Sequence, residues 1–402
     1  MNSDSTSAAP TTISARNTRR KGGLKPLAAS TYLVRNAGKT IPLTGVILLA
    51  VLLVSGIVSL INSIPYSIRT IYQYTRQTLA VTPRGDASQT PKLVAEVRKN
   101  SPVSLDRIVL ARAAGTQVNS IVGKWPFAVV ALKQDDMRYW MSRQGVRQIT
   151  GRLPRQGEPE ALISEPVARN LNMKLGDSLL KPDDNEAYSP FPVKVVGIAR
   201  SDVWLMMTSY EYVKANHFPD VDVMLAFAKN LTDQEKLDRW AEDAFKGERA
   251  QIFAYHQLEK QTDEMFSILY KILNVVIGTL VLVITLMMGM LINIYLSQRI
   301  VEFGLLQALG YTKGQLLARV MRETVSVVLI GWLLGVGSAY LLLLLTKRIL
   351  MDPKAFALNP LDIGAFLYTV PIPLAILVVA TLTVVGRFKK FDPVSVVERR
   401  LV

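Results

Sequence analysis

Four stretches of the chain carry no Asp, Glu, Lys or Arg: Thr40–Ile68, Ile272–Gln298, Thr324–Thr346 and Ile363–Gly386. Each holds a predominantly apolar run of roughly 20 residues or more, and ~20 residues at ~1.5 Å rise cover the ~30 Å hydrocarbon layer of a bilayer. A core helix of a soluble protein of that length carries a polar stripe where one face meets water. These stretches have none, so the pattern predicts transmembrane helices over 41–64, 272–296, 323–346 and 363–386. The first begins too late and its apolar run is too long for a cleaved signal peptide, so it reads as an uncleaved anchor.

Between the first and second spans the pattern changes to short elements. Ile108–Ala113, Phe127–Leu132, Ala161–Ser164 and Phe191–Ile198 are short apolar runs bounded by polar or turn residues, as strands are. Pro91–Asn100, Glu165–Leu171 and Thr232–Phe245 read as helices, and Leu175-Gly-Asp177 as a turn. The expected fold is an α-helical membrane protein with four transmembrane helices and a large extracytoplasmic mixed α+β domain, residues 65–256, between helices 1 and 2. That domain is expected to form two lobes. Over 257–271, Leu258, Met265, Phe266, Leu269 and Ile272 recur at helical spacing among charged residues. They predict an amphipathic stalk, with Met265 and Leu269 on its apolar stripe; a plain linker helix is the alternative. Residues 1–23 read as a disordered tail, and 24–40 as a juxtamembrane amphipathic helix or a plain linker.

Charge fixes the expected orientation. Residues 1–40, the Ser297–Glu323 loop and Arg387–Val402 together hold 16 basic against 5 acidic residues, while the segment between helices 1 and 2 is near balance at 28 against 25. The net charge of +15 therefore lies mostly in short segments beside the spans, which argues for the positive-inside rule and against nucleic acid as a partner. Both termini (387–402 being the C-terminal tail) and the 297–322 loop are expected in the cytoplasm of a bacterium. The domain and the 347–362 loop are expected outside its plasma membrane. The chain has no cysteine, which excludes disulfides and thiolate chemistry.

A search for catalytic chemistry returns little. The two histidines, His217 and His256, have no ligand pattern around them. Gly38-Lys39-Thr40 resembles the end of a phosphate-binding loop, but Leu33 stands where its first glycine belongs. Asn230-Leu-Thr232 matches a glycosylation acceptor, a frequent chance match. Apart from Glu323 at the first residue of the third, no charge lies within the four spans as drawn, which argues against an ion-coupled transporter. No cofactor or metal is expected in this chain, and it is expected not to be an enzyme. Gly331-x-x-x-Gly335 in the third span permits close helix packing. Pro371 and Pro373 are expected to kink the fourth span near mid-membrane. In the 297–322 loop, Glu302–Leu309 has helix-forming residues with a Leu305, Leu306, Leu309 face, and Gly310 is placed to end the helix. An apolar face turned to the cytoplasm suits a partner; a helix packed tightly on the inner loop is the alternative.

Glu302-Phe303-Gly304-Leu305-Leu306-Gln307-Ala308-Leu309-Gly310, followed by Gln315-Leu316, resembles the coupling-loop signature of the FtsX/MacB-like ABC transporter permeases, the type VII systems. Gly151–Ser164, Ala168-Arg-Asn-Leu171 and Leu175-Gly-Asp177 look like the outer core domain of MacB-type members. Val193–Ala199 and Asp392-Pro393-Val394 are similar to further family segments, and the one-plus-three layout of spans also agrees. Two residues depart from the pattern: Gln307 stands where Arg or Lys is usual, and Phe303 where Ile is. The resemblance implies a permease subunit coupled through this loop to a separate ATPase chain, since the 402 residues hold no nucleotide-binding domain. It implies a homodimer or a permease heterodimer, contact with membrane lipids, and in some systems a periplasmic adaptor. The implied work is export or extraction of a lipid, lipoprotein, peptide or amphipathic small molecule. The alternative is a regulatory scaffold that activates an extracytoplasmic cell-wall hydrolase.

Overall fold

The computed structural model describes residues 37–389. The tail 1–23, most of the juxtamembrane stretch 24–40 and the Asp392-Pro393-Val394 segment lie outside them. Among the described residues four helices are long and apolar enough to cross a membrane, and a mixed α/β domain sits between the first and second.

Helix α1 spans Ala37–Ile71, 35 residues or about 52 Å, well beyond the ~30 Å of hydrocarbon. It runs through Pro65, where the outer domain was expected to begin, and its last residue, Ile71, is fully buried in the domain core. The domain follows as β1 (Leu79–Thr82), α2 (Thr90–Asn100), β2 (Leu105–Ser120), β3 (Gly123–Leu132), α3 (Gln134–Arg143), β4 (Gln148–Gly151), β5 (Glu160–Ser164), α4 (Glu165–Leu171), β6 (Ser178–Leu180), β7 (Val193–Arg200), β8 (Met206–Ser209), α5 (Tyr210–Ala215), β9 (Val223–Ala228), α6 (Leu231–Ala244) and β10 (Gln251–Phe253). The strands form one sheet in the order β10-β1-β9-β2-β3-β8-β5-β7-β4, with β6 beside β7.

Strand β2 is 16 residues long, far longer than the 108–113 expectation. Its first part, Leu105–Ala111, pairs with β9; its second, Arg112–Ser120, pairs with β3. The two expected lobes are thus two halves of one sheet that share a strand. The second part was missed because Gly115, Thr116, Gln117 and Asn119 dilute its apolar alternation. Helices α2 and α6 cover one half: Leu93, Val97, Leu237 and Ala241 pack on Leu79, Val81, Met224 and Ala226. Helices α4 and α5 cover the other, around fully buried Trp204. Within α6, Asp238 is buried beside Gln234, whose side chain donates to it at 3.0 Å. Burial pushes this carboxyl up to about 7, and Glu242 and Glu235 add to the rise against the hydrogen bond.

Helix α7 (Tyr255–Gln298) is one continuous 44-residue helix, so stalk and second span are a single rod. A nine-residue helix α8 (Ile300–Ala308) follows, then α9 (Lys313–Thr346). Beyond Thr346 the chain continues as a π-helical turn, Lys347–Met351, and a short 3₁₀ turn, Asp352–Lys354, where an open outer loop was expected. The fourth span differs from expectation. A short helix α10 (Ile363–Leu367) breaks at Tyr368–Val370, and α11 (Pro371–Lys389) starts afresh with Pro371. Proline is tolerated at a helix start because its missing N–H would lack a partner there anyway. The break therefore lies toward the domain end of the span, and no mid-span kink forms at Pro371.

Gly331 and Gly335 lie on the α1 side of α9. A Cβ at Gly335 would stand 2.7 Å from Val51 Cβ, and one at Gly331 2.9 Å from Ile47 Cβ. The domain rests on three supports: the continuation of α1, the rod α7, and the turn after α9. Arg69 on α1 pairs with Asp263 and Glu259 on α7. Asn170 of α4 donates to the Lys354 carbonyl at 2.8 Å, and Asn62 of α1 donates to Asp362 at 2.6 Å.

Candidate functional site

The end of the helix bundle away from the sheet is built around α8. Its start is a one-residue joint: Arg299 closes α7 and opens α8. Its end is set by Gly310 at φ +94°, a conformation that favours glycine. Gly310 N–H donates to the Gln307 carbonyl and Tyr311 N–H to the Leu306 carbonyl, the paired bonds of a Schellman motif. Thr312 then caps α9 reciprocally with Gln315, completing a capping box. Local sequence alone thus specifies helix, stop and restart within a dozen residues.

The faces of α8 differ from a simple leucine stripe. Phe303 and Gly304 are buried. Phe303 packs with Ile292, Leu296, Leu316, Val320, Ala380, Val384 and Phe388, so residues from the second, third and fourth spans all grip it. Leu306 is half-buried against the same core. The exposed ridge is Val301, Leu305, Ala308 and Leu309, with Leu305 61% and Leu309 76% exposed. Leu306 therefore belongs to the inward side and Val301 to the outward one. The sequence carries a signal for Val301, which precedes Leu305 by four residues on the same face.

Glu302 turns toward a charged cluster. Arg299 donates to Glu302 through Nε at 2.9 Å, to Glu323 at 2.7 Å and to the Tyr295 hydroxyl at 2.6 Å. Arg319 donates to Glu323 at 3.1 Å and lies 3.7 Å from Glu302. Arg299 is 3% exposed and Glu323 2%. Two guanidiniums and two carboxylates bring no net charge into a buried place, which is what makes such burial tolerable. Gly304, by contrast, lies buried beside Phe303 and brings no charge. Arg387 at the end of α11 donates to Asn293 and Ser297 of α7 at 2.7 and 3.0 Å, which ties the fourth span to the second.

The remaining expected residues lie elsewhere. Met265 is exposed on the rod and Leu269 half-buried, and Met265, Ile268, Ile272 and Val275 form an exposed apolar line running from the stalk into the start of the second span. His217 sits on an exposed turn 3.4 Å from Asp220, and His256 is exposed at the start of α7.

Residues 274–393 match the family model described as FtsX-like permease C-terminal. No curated protein matches the chain. Among solved structures, the periplasmic region of MacB from Actinobacillus actinomycetemcomitans is 11% identical, covers 47% of this chain and 92% of its own, and gives a TM-score of 0.27. The extracellular domain of the noncanonic ABC-type transporter YknZ from Gram-positive bacteria is 14% identical over 44% of this chain and 99% of its own, with a TM-score of 0.24. A domain of a putative permease protein from Porphyromonas gingivalis is 14% identical over 45% and 91%, with a TM-score of 0.25. The matched segment takes in part of α7 and the whole of α8, α9, α10 and α11, and so contains the gripped helix and its exposed ridge. Residues 274–393 are thus similar to the C-terminal domain of the FtsX-like permeases, and that likeness covers the membrane part of the chain that carries α8.

Proposed function

We propose that this chain is the membrane subunit of an ABC system in which α8 is the coupling helix, received by a groove on a separate ATPase chain. The observation that carries the reading is the Val301, Leu305, Leu309 ridge on a helix whose other side is gripped by three spans. An exposed apolar ridge on a short helix costs solvation unless something covers it, and helix-in-groove docking covers such ridges. The ATPase end is cytoplasmic, with both termini, and the sheet domain lies outside. Cofactor chemistry belongs to the ATPase and not to this chain.

Two copies meet along the exposed line of α7 that includes Met265, Ile268 and Ile272, as a two-fold axis would bring one face against itself. A homodimer and a heterodimer with a related permease both fit this face. Closure of the ATPase pair shifts α8, and the continuous α7 carries the displacement to the domain. The domain then acts outside on a lipid, lipoprotein, peptide or amphipathic small molecule, with or without a periplasmic adaptor.

The test is capture of the ATPase from the native membrane by tagged permease, with the captured chain identified by mass spectrometry. Leu305→Asp places a charge in the covered ridge at a cost of roughly 2–5 kcal/mol, enough to lose the ATPase at least tenfold. The variant still inserts, since Leu305 touches no core. Undiminished capture in Leu305→Asp and Leu309→Asp removes α8 as the docking element.

A further inference from the structure

We propose that Arg299, Glu302, Arg319 and Glu323 are positioning residues that hold α8 at one angle to the second and third spans. Glu302 then acts inward on this cluster and not on the ATPase surface. The inference rests on the coupling role given to α8 above, and adds how that helix can carry load.

A helix of nine residues is too short to be stable by itself, so its placement comes from what it touches. Its connection to α7 is the single residue Arg299, at φ −105° and ψ 5°. One residue between two helices would ordinarily be a pivot. Here the pivot's own side chain is buried and reaches three elements at once: Tyr295 on α7, Glu302 on α8 and Glu323 on α9. Arg319 closes the circuit from α9, through Glu323 and at 3.7 Å from Glu302. Swinging α8 away from α9 would separate Glu302 from both guanidiniums and leave buried charge uncompensated, so the swing is opposed electrostatically. Phe303 adds an apolar anchor, its ring 5.0 Å from the Arg299 guanidinium carbon. A displacement delivered to the Leu305 ridge therefore moves α7 and α9 with it instead of being absorbed at the joint. Packing alone would hold Phe303 in place but leave rotation about it cheap. The charges supply direction.

The absence of cysteine makes the measurement direct. Nitroxides are attached to cysteines replacing Leu309 on α8 and Ile294 on α7 in the full-length chain in lipid nanodiscs, and their distance distribution is recorded by pulsed electron paramagnetic resonance. The native distribution is expected to be single and narrow. Arg319→Met and Glu323→Gln each leave an unmatched charge and should broaden it roughly twofold. The double variant Arg319→Met/Glu323→Gln removes one charge of each sign, and Arg319→Lys keeps the charge; both should recover at least about half of the lost narrowing. Glu302→Gln tests the same joint at a side chain 40% exposed, and carries the test if the more buried variants fail to insert.

A distribution that stays narrow in the single variants overturns the proposal. So does a double variant as broad as the singles, which would make the effect one of packing. None of these distances involves the ATPase, so their failure leaves the docking reading intact, and failure of capture in the native chain leaves the distances intact. Capture separates the two roles of Glu302. Glu302→Gln should retain the ATPase within about twofold while Leu305→Asp loses it. Loss of capture in Glu302→Gln with a narrow distribution would return Glu302 to the docking surface and overturn the proposal.

Discussion

The sheet domain and the helix bundle bury opposite things. In the domain the large apolar residues lie inside: Trp204, Phe227, Leu162 and Met206 are essentially inaccessible. In the bundle many point outward, among them Leu282, Val283, Leu286 and Met290 on α7 and Leu333 and Leu334 on α9. The difference reflects solvent. Water drives apolar groups together, whereas lipid tails solvate leucine as well as protein does, so the bundle is held by close contact at small residues and by polar pairs. Outward leucines on a span thus need no explanation beyond the bilayer, while Leu305 and Leu309 lie beyond the spans, where the proposed ATPase groove would cover them. The same residue type carries functional information in one place and none in the other.

The sharpest way to break this comparison is truncation on both sides of it. Trp204→Ala empties a fully buried site in the domain and should cost about 3–5 kcal/mol of stability. Leu282→Ala on the lipid-facing side of α7 should stay within about 0.5 kcal/mol. Equilibrium unfolding of the full-length chain, followed by limited proteolysis of the domain, measures both. Equal effects would mean that α7 is covered by protein along its length.

Asp238 tests the domain's interior in another way. Its folded carboxyl titrates at about 7, well above the ordinary carboxylate value. Between those values the folded chain holds a proton that the unfolded chain has released, so stability falls as pH rises through the window and is level above it. The slope is at most about 1.4 kcal/mol per pH unit. In Asp238→Asn the fall should disappear; a domain melting profile between pH 4 and 8 that keeps the native slope removes Asp238 as its source.

Within the bundle the expected effect is smaller and of opposite kind, arising from too much volume. Gly335→Ile drives a side chain into Val51 and the Leu48 carbonyl, and overpacking of this sort costs typically about 1–3 kcal/mol. The measurement is thermal stability in detergent, with Gly337→Ile as control, because nothing lies near a Cβ at Gly337. Two equally tolerated variants would place the close approach of α1 and α9 elsewhere.

How much of this was legible in the sequence follows the same division. The four spans announced themselves because hydrocarbon excludes charge, and the Gly310 stop and the Gly331-x-x-x-Gly335 spacing were readable because each has a local cause. The charged cluster was not. Drawing the third span from residue 323 leaves Arg319 in the loop and Glu323 at the span's edge, where charges look ordinary; folded, they are buried within α9. Charges counted one at a time cannot reveal that two of each sign cancel. The inward turn of Leu306 was likewise hidden, since a nine-residue helix has too few turns for periodicity to fix its faces. In the domain, β2 outran its apolar signal because Asn170 secures the far end. Its amide bonds with the Asn119 N–H at 2.8 Å and the Asn119 carbonyl at 3.0 Å, a pairing that only the fold brings together.

That long strand has a consequence for how the domain yields when pulled. It runs through both halves of the sheet, its second part held by nine paired residues with β3 and its first by six with β9. A tug running along β2 loads those ladders in shear, and many hydrogen bonds must give way together. A tug across it would open them one after another, like a zip. Since α1 leads to β1 and α7 leaves from β10, neighbouring strands at one edge of the sheet, the angle between their pull and β2 decides whether the domain moves as a stiff plate or parts along a seam. Amide exchange along Ala111–Gly115 under load would distinguish the two, because only the seam exposes those protons.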